Sequence, residues 1–141
     1  MAVFLNNKVG LKINNVDLSD HTTSVTLNYA ADELEVTAMG DTAHKFVKGL
    51  QSGTLTVSFL NDTATSKVLQ TLNSAFGTTV ACKMVQDTTS PVTVSATNPL
   101  YTFDILVNNL TPINGATGDI GTQDITFTLN SAVTVADSGT F

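Results

Sequence analysis

Apolar and polar residues alternate along most of this chain with a period of two, the signature of strands that bury one face. Over residues 9–18, Val9, Leu11 and Ile13 alternate with Gly10, Lys12 and Asn14, and Ser19-Asp20-His21 then reads as a turn. Val25, Leu27 and Tyr29 alternate with Ser24, Thr26 and Asn28, and their β-branched and aromatic side chains favour an extended backbone. The register breaks at residues 30–32, and Leu34 to Val36 either prolongs that strand or opens a loop. Thr54-Leu55-Thr56-Val57-Ser58-Phe59 is the cleanest alternation and predicts a core strand. Further strands are expected over residues 79–85, at Val92 and Val94, from Tyr101 to Val107, from Ile125 to Leu129, and at Val133 and Val135.

Two segments depart from this rule. Val68, Leu69, Leu72 and Phe76 recur near the helical period after the cap-type residues Asn61-Asp62-Thr63 and before Gly77, which predicts one helix at about 64–75. Residues 37–49 follow neither period. They carry Met39, Phe46 and Val47 as isolated apolar side chains between Gly40 and Gly49, and loops longer than about a dozen residues usually bind something or order on assembly. The expected architecture is a mainly β, antiparallel sandwich or barrel of seven or eight strands, with one flanking helix and a long assembly loop. With no linker, repeat or low-complexity tract, residues 1–141 read as one domain.

Composition narrows the function. Only 13% of residues are charged, so Thr, Ser and Asn must supply a neutral surface that guards poorly against self-association. The net charge is -6 and every basic residue is Lys, so the guanidinium forks that grip phosphate and guanine are missing and a dedicated nucleic-acid reader is not expected. The lone Cys82 forbids an intrachain disulfide and reads as a half-buried core residue. Met1-Ala2-Val3-Phe4-Leu5-Asn6 lacks the basic start and long apolar run of a signal peptide, and no stretch approaches the roughly 20 apolar residues of a spanning helix. The expectation is a protein folded in a cytosol, with no membrane anchor.

Catalytic equipment is sparse. His21 and His44 lie in polar turns without partners at a metal-ligating spacing, and Asp17, Asp20 and Asp119 do not match a calcium loop. Glu33 and Glu35 share a strand face but read as a solvated edge, not an acid–base pair. Gly115, Gly118 and Gly121 precede a strand and lack the Lys-Ser/Thr of a phosphate loop. No catalytic residue, cofactor or metal is expected, and the chain is not read as an enzyme.

The order of motifs carries a resemblance. Leu34-Glu35-Val36-Thr37-Ala38-Met39-Gly40-Asp41-Thr42, then Lys48-Gly49-Leu50 and the 54–59 strand ending in Asn61-Asp62, resembles the major tail tube proteins of long-tailed bacteriophages. Asn98-Pro99 before the Tyr101 strand, Pro112-Ile113-Asn114-Gly115, Gly118-Asp119 and the strand from Ile125 resemble the second half of the same family. The resemblance implies a virion protein made in the host bacterial cytoplasm, whose subunits form hexameric rings stacked into a hollow, negatively charged tube. DNA would pass through without specific binding, and tape-measure and tail-terminator or tail-tip proteins would be its partners. The loop residues Thr37, Met39, Gly40, Asp41, His44, Phe46, Val47 and Gly49 are then the expected self-assembly arm, ordering on contact with a neighbour. The alternatives are a head decoration or head-tail joining protein, built from similar strands, and an extracellular binding module of immunoglobulin type.

Overall fold

A computed structural model of the chain describes residues 7–141. The expectation about the N-terminal segment 1–6 lies outside the described residues. Eight strands are described: β1 (Gly10–Ile13), β2 (Val16–Asp17), β3 (Thr22–Glu35), β4 (Phe46–Leu60), β5 (Thr79–Val85), β6 (Leu100–Leu106), β7 (Thr122–Leu129) and β8 (Thr134–Ala136). One helix, α1 (Val68–Ala75), interrupts them. Every pairing is antiparallel, in the order β2-β1-β5-β6-β7-β4-β3, with β8 also on β6.

The sheet does not close into a barrel, because β2 and β3 at its two ends do not pair with each other. Its inner face still makes one core. Leu11 and Ile13 of β1, near one end, join Leu55, Val57 and Phe59 of β4, near the other, together with Phe103 and Phe127. The alternation read from sequence sets this directly: in β7, Ile125, Phe127 and Leu129 are buried while Thr126 and Thr128 are exposed, and the structure extends the strand back to Thr122 with Gln123 also buried.

Helix α1 covers the core with Val68, Thr71, Leu72 and Ala75, spaced three and four apart as one helical face requires. It starts later than the expected residue 64. The Asp62 carboxylate accepts the N–H of Ala64 at 2.8 Å and closes a turn there, and Ser66 takes a left-handed φ of 61° that no helix can contain. The stop is as expected: Gly77 has φ 80°, and its N–H donates to Val107 O at 2.7 Å.

Val92 and Val94 form no strand. Their segment is held by a side chain instead of a ladder, since the Asn98 amide donates to Asp87 O and Thr93 O, both at 2.9 Å, and accepts the N–H of Asp87 at 3.1 Å. A second amide pins the loop after β6. The fully buried Gln123 donates to Asn61 Oδ1 at 2.7 Å, and Asn61 Nδ2 donates to Pro112 O at 3.0 Å.

Candidate assembly surface

The longest pairing among the described residues joins β3 to β4, from Thr22 opposite Phe59 to Glu35 opposite Phe46. β4 meets its other neighbour, β7, only from Thr54 to Leu60. Among the described residues, 46–53 therefore pair with β3 alone and leave the body of the sheet as a two-stranded ribbon, roughly 26 Å long at about 3.3 Å per residue. The expected loop over 37–49 is shortened accordingly: Phe46, Val47 and Gly49 lie in β4, and only residues 36–45 turn the chain.

That turn supplies its own hydrogen bonds. Val36 N–H donates to Lys45 O at 2.8 Å, Lys45 N–H to Thr37 Oγ1 at 2.9 Å, Ala38 N–H to Asp41 Oδ2 at 2.8 Å, and Asp41 N–H to Ala38 O at 3.1 Å. Gly40 provides the left-handed step, with φ 92°. Lys45 Nζ lies 2.7 Å from Asp41 Oδ1, and this bond, with that from Ala38 N–H, holds the Asp41 carboxyl below the usual aspartate range. His44 Nδ1 lies 2.7 Å from Glu35 Oε2. Thr37 and Asp41 thus satisfy, within one subunit, backbone groups that a bare loop would leave open.

A bulge changes the ribbon's character. Ala31 stands opposite Gln51 and Glu33 opposite Lys48, so Gly49 and Leu50 together face Asp32. On the body side of the bulge, the outward residues of β3, β4 and β7 form rows of polar side chains: Ser24, Ser58 and Asp124; Thr26, Thr56 and Thr126; Asn28, Thr54 and Thr128. The middle row is tied by a 3.3 Å contact between the Thr56 and Thr126 hydroxyls. Beyond the bulge the same face of β3 continues into Leu34, opposite Val47, and the opposite face carries Glu33 against Lys48 and Glu35 against Phe46. Polar outside thus becomes apolar outside. Leu34, Val36, Val47 and Leu50 are exposed by 52, 49, 47 and 82%, and Met39 at the apex is completely exposed.

Sequence reasoning missed Leu34, Val36 and Leu50 as part of this stripe. Leu34 and Val36 do alternate with Glu33 and Glu35, but the extra residue in β4 shifts one strand's pattern against the other and hides the shared face.

A groove opens elsewhere on the subunit, about 740 Å³ in volume. Its lining is mixed: Val25, Leu27 and Tyr29 of β3 and Val9, Met84 and Tyr101 contribute apolar surface, and Asn7, Ser19, Thr23 and Gln86 contribute polar surface. It is the gap left because the sheet stays open.

The candidate chemical groups are not gathered into a reactive site. Among the described residues no cluster of three or more His, Cys, Asp or Glu is placed to hold a metal ion. His21 does acquire partners by folding, with Nδ1 2.7 Å from Asp20 and Nε2 2.8 Å from Asp62. They join the 3-10 turn Ser19–His21 to the entry of α1. Cys82 is fully buried, and burial, with the Asp104 carboxylate adding, pushes its thiol up to about 12. No helix among the described residues is long and apolar enough to cross a membrane.

No protein-family model and no curated protein matches the chain. Solved structures do. A chain in the virion of a native gene transfer agent particle superposes with a TM-score of 0.72 at 8% identity, over 95% of this chain and 99% of that one. A chain in the tail of the empty particle, refined with helical C6 symmetry, gives 0.59 at 10% identity, over 81% of each chain. A chain in the sheath/tube terminator of an extracellular contractile injection system, PVC, gives 0.70 at 12% identity, over 96% of this chain and 97% of that one. Identities this low speak to fold alone, and the fold of this chain is one found in the tails and sheath-tube assemblies of phage-like particles.

Proposed function

We propose that this protein is a non-catalytic structural subunit of a tail tube, assembling as hexameric rings that stack around a channel for genome delivery. The observation that carries this reading is the likeness over nearly the whole chain to chains of a gene transfer agent virion and a PVC sheath/tube terminator. The C6 symmetry of the gene transfer agent tail supports six subunits per ring. The subunit's own features agree. An open sheet leaves backbone donors and acceptors along the outer edge of β3, where another copy can add a strand.

The hydroxyl rows across β3, β4 and β7 suit the wall of such a channel. They contain one carboxylate, Asp124, and no lysine, so a passing phosphate backbone meets hydrated neutral groups, mild repulsion and no cation to release its counterions. Tape-measure protein inside the tube, and terminator or tip proteins at its ends, are the partners this reading requires. The site of action is the virion, after synthesis in the host cytoplasm.

Negative-stain electron microscopy of the purified protein tests the reading, alone and with tail-tip proteins. Open stacked tubes with sixfold end views are expected. Closed trimers or pentamers would instead make it a head decoration or joining protein, and a monomer under all conditions would end the assembly reading.

A further inference from the structure

The loop between β6 and β7 carries the chain's single Asn-Gly pair, Asn114-Gly115, to which the tube reading gives no role. We propose that Asn114 is a self-modification site, where the native loop converts the side-chain amide into a carboxylate through a cyclic imide. The proposal does not depend on the tube reading.

The chemistry is a ring closure followed by hydrolysis. The Gly115 backbone nitrogen gives up its proton and attacks Asn114 Cγ. The new C–N bond closes a succinimide ring while the side-chain nitrogen leaves, with that proton, as ammonia. Water then adds to a ring carbonyl and opens the ring. Opening at the main-chain carbonyl yields isoaspartate, in which the chain runs through the former side chain, and opening at the other yields aspartate. The sum is amide plus water to carboxylate plus ammonium, so no oxidant, reductant or cofactor enters.

The fold leaves the reacting groups free. Asn114 and Gly115 are exposed and lie in irregular backbone. Among the described residues, neither the Gly115 N–H nor the Asn114 amide is engaged in a hydrogen bond. Gly115 has φ 134°, and a Cβ there would meet nothing closer than Asp119 Cβ at 3.6 Å, so the attacking nitrogen is unshielded. The bonds that order the loop stop short of this pair: Asn61 donates to Pro112 O and Gly121 O, while Ala116 and Asp119 close a turn on each other.

Other asparagines that precede a small residue are held. Asn130 precedes Ser131, but its amide donates to Thr79 Oγ1 and its N–H to Asp104 O, both at 2.8 Å. Asn73 precedes Ser74 within α1, where the attacking N–H is committed to the helical ladder. The fold therefore selects Asn114. Conversion gives the loop a second carboxylate near Asp119 and, in the isoaspartyl form, a longer main chain between its anchored ends, which changes the charge and reach of the exposed Ile113 and Ile120.

Peptide mapping by mass spectrometry, with isoaspartyl methyltransferase labelling, tests this in full-length protein held in warm, mildly alkaline buffer, native and unfolded in guanidinium. Residue 114 should convert at nearly the same rate in both states, whereas Asn73 and Asn130 should convert only when unfolded. Asn114→Gln, at an exposed position away from the core, should abolish the isoaspartyl signal of the native protein, because its longer side chain cannot close the same ring. Retention of the amide at residue 114 in the native protein, native conversion of Asn130 as fast as residue 114, or an isoaspartyl signal that survives in Asn114→Gln overturns the proposal.

Discussion

His21 and Asp62, 41 residues apart in sequence, meet at 2.8 Å between the imidazole Nε2 and a carboxylate oxygen. The backbone N–H of Ala64 holds the Asp62 carboxyl below the usual aspartate range, and His21 and Lys67 help against some desolvation. A carboxyl lowered in the folded state adds stability that is present above its unfolded value, near about 3.9, and is lost as pH falls through the folded value. Asp62→Asn should lower stability at neutral pH and flatten the acid limb of the stability curve. Urea unfolding from about pH 7 to about pH 2 measures both. Equal acid slopes in the two proteins would show that the Ala64 and His21 contacts contribute no linkage.

The core gives the largest expected loss. Phe127 is fully buried within the common cluster, so Phe127→Ala removes apolar burial and leaves a cavity costing about 3–5 kcal/mol. That is a large share of the roughly 5–15 kcal/mol that holds a typical domain folded. Denaturant midpoints check it, with an unchanged slope marking a loss of stability alone.

Gly53 lies at the root of the ribbon, opposite Tyr29. A Cβ there would sit 2.5 Å from Asn28 O and 2.9 Å from Tyr29 Cβ, and the first contact is with backbone that cannot swing away. Gly53→Ala should therefore force β3 and β4 apart where the ribbon leaves the body. Hydrogen exchange should rise in residues 46–53 and remain slow in β5 and β6; an unchanged ribbon would contradict the steric argument.

At the tip, Met39→Ser removes an apolar side chain that touches nothing in the subunit. Its effect on subunit stability should be within about 0.5 kcal/mol, as for exposed positions elsewhere. Assembly should nevertheless weaken. Sedimentation velocity against thermal unfolding separates these effects, and unaltered assembly would remove Met39 from the candidate assembly surface.

Cys82 should be silent in the native protein. With its thiol pushed up to about 12 and its side chain fully buried, almost no thiolate exists near neutral pH and none is accessible. Iodoacetamide should label it only after denaturation, and fast native labelling would mean that β5 opens.

Much of this architecture was legible in residue order, because strands with one buried face must alternate. β7 could be read as Ile125, Phe127 and Leu129 inward against Thr126 and Thr128 outward, and α1 from the spacing of Val68 and Leu72 with the stop at Gly77. The limits of α1 were not, since Asp62 was free in sequence to cap a helix and instead closes a turn on Ala64. Nor was the failure of Val92 and Val94 to pair, which depends on Asn98 tying their loop down.

The assembly arm divides in the same way. Residue order alone marked Met39, Phe46 and Val47 as apolar side chains lacking a local place to pack. Only tertiary structure decided where they stand, because the bulge that sets two residues against Asp32 is a property of the register between β3 and β4, not of either strand. Alternation reports which residues share a face within one strand. It carries no information about how far a partner strand extends, and so neither the ribbon beyond β7 nor the groove beside an unclosed sheet edge could be read before the strands were paired.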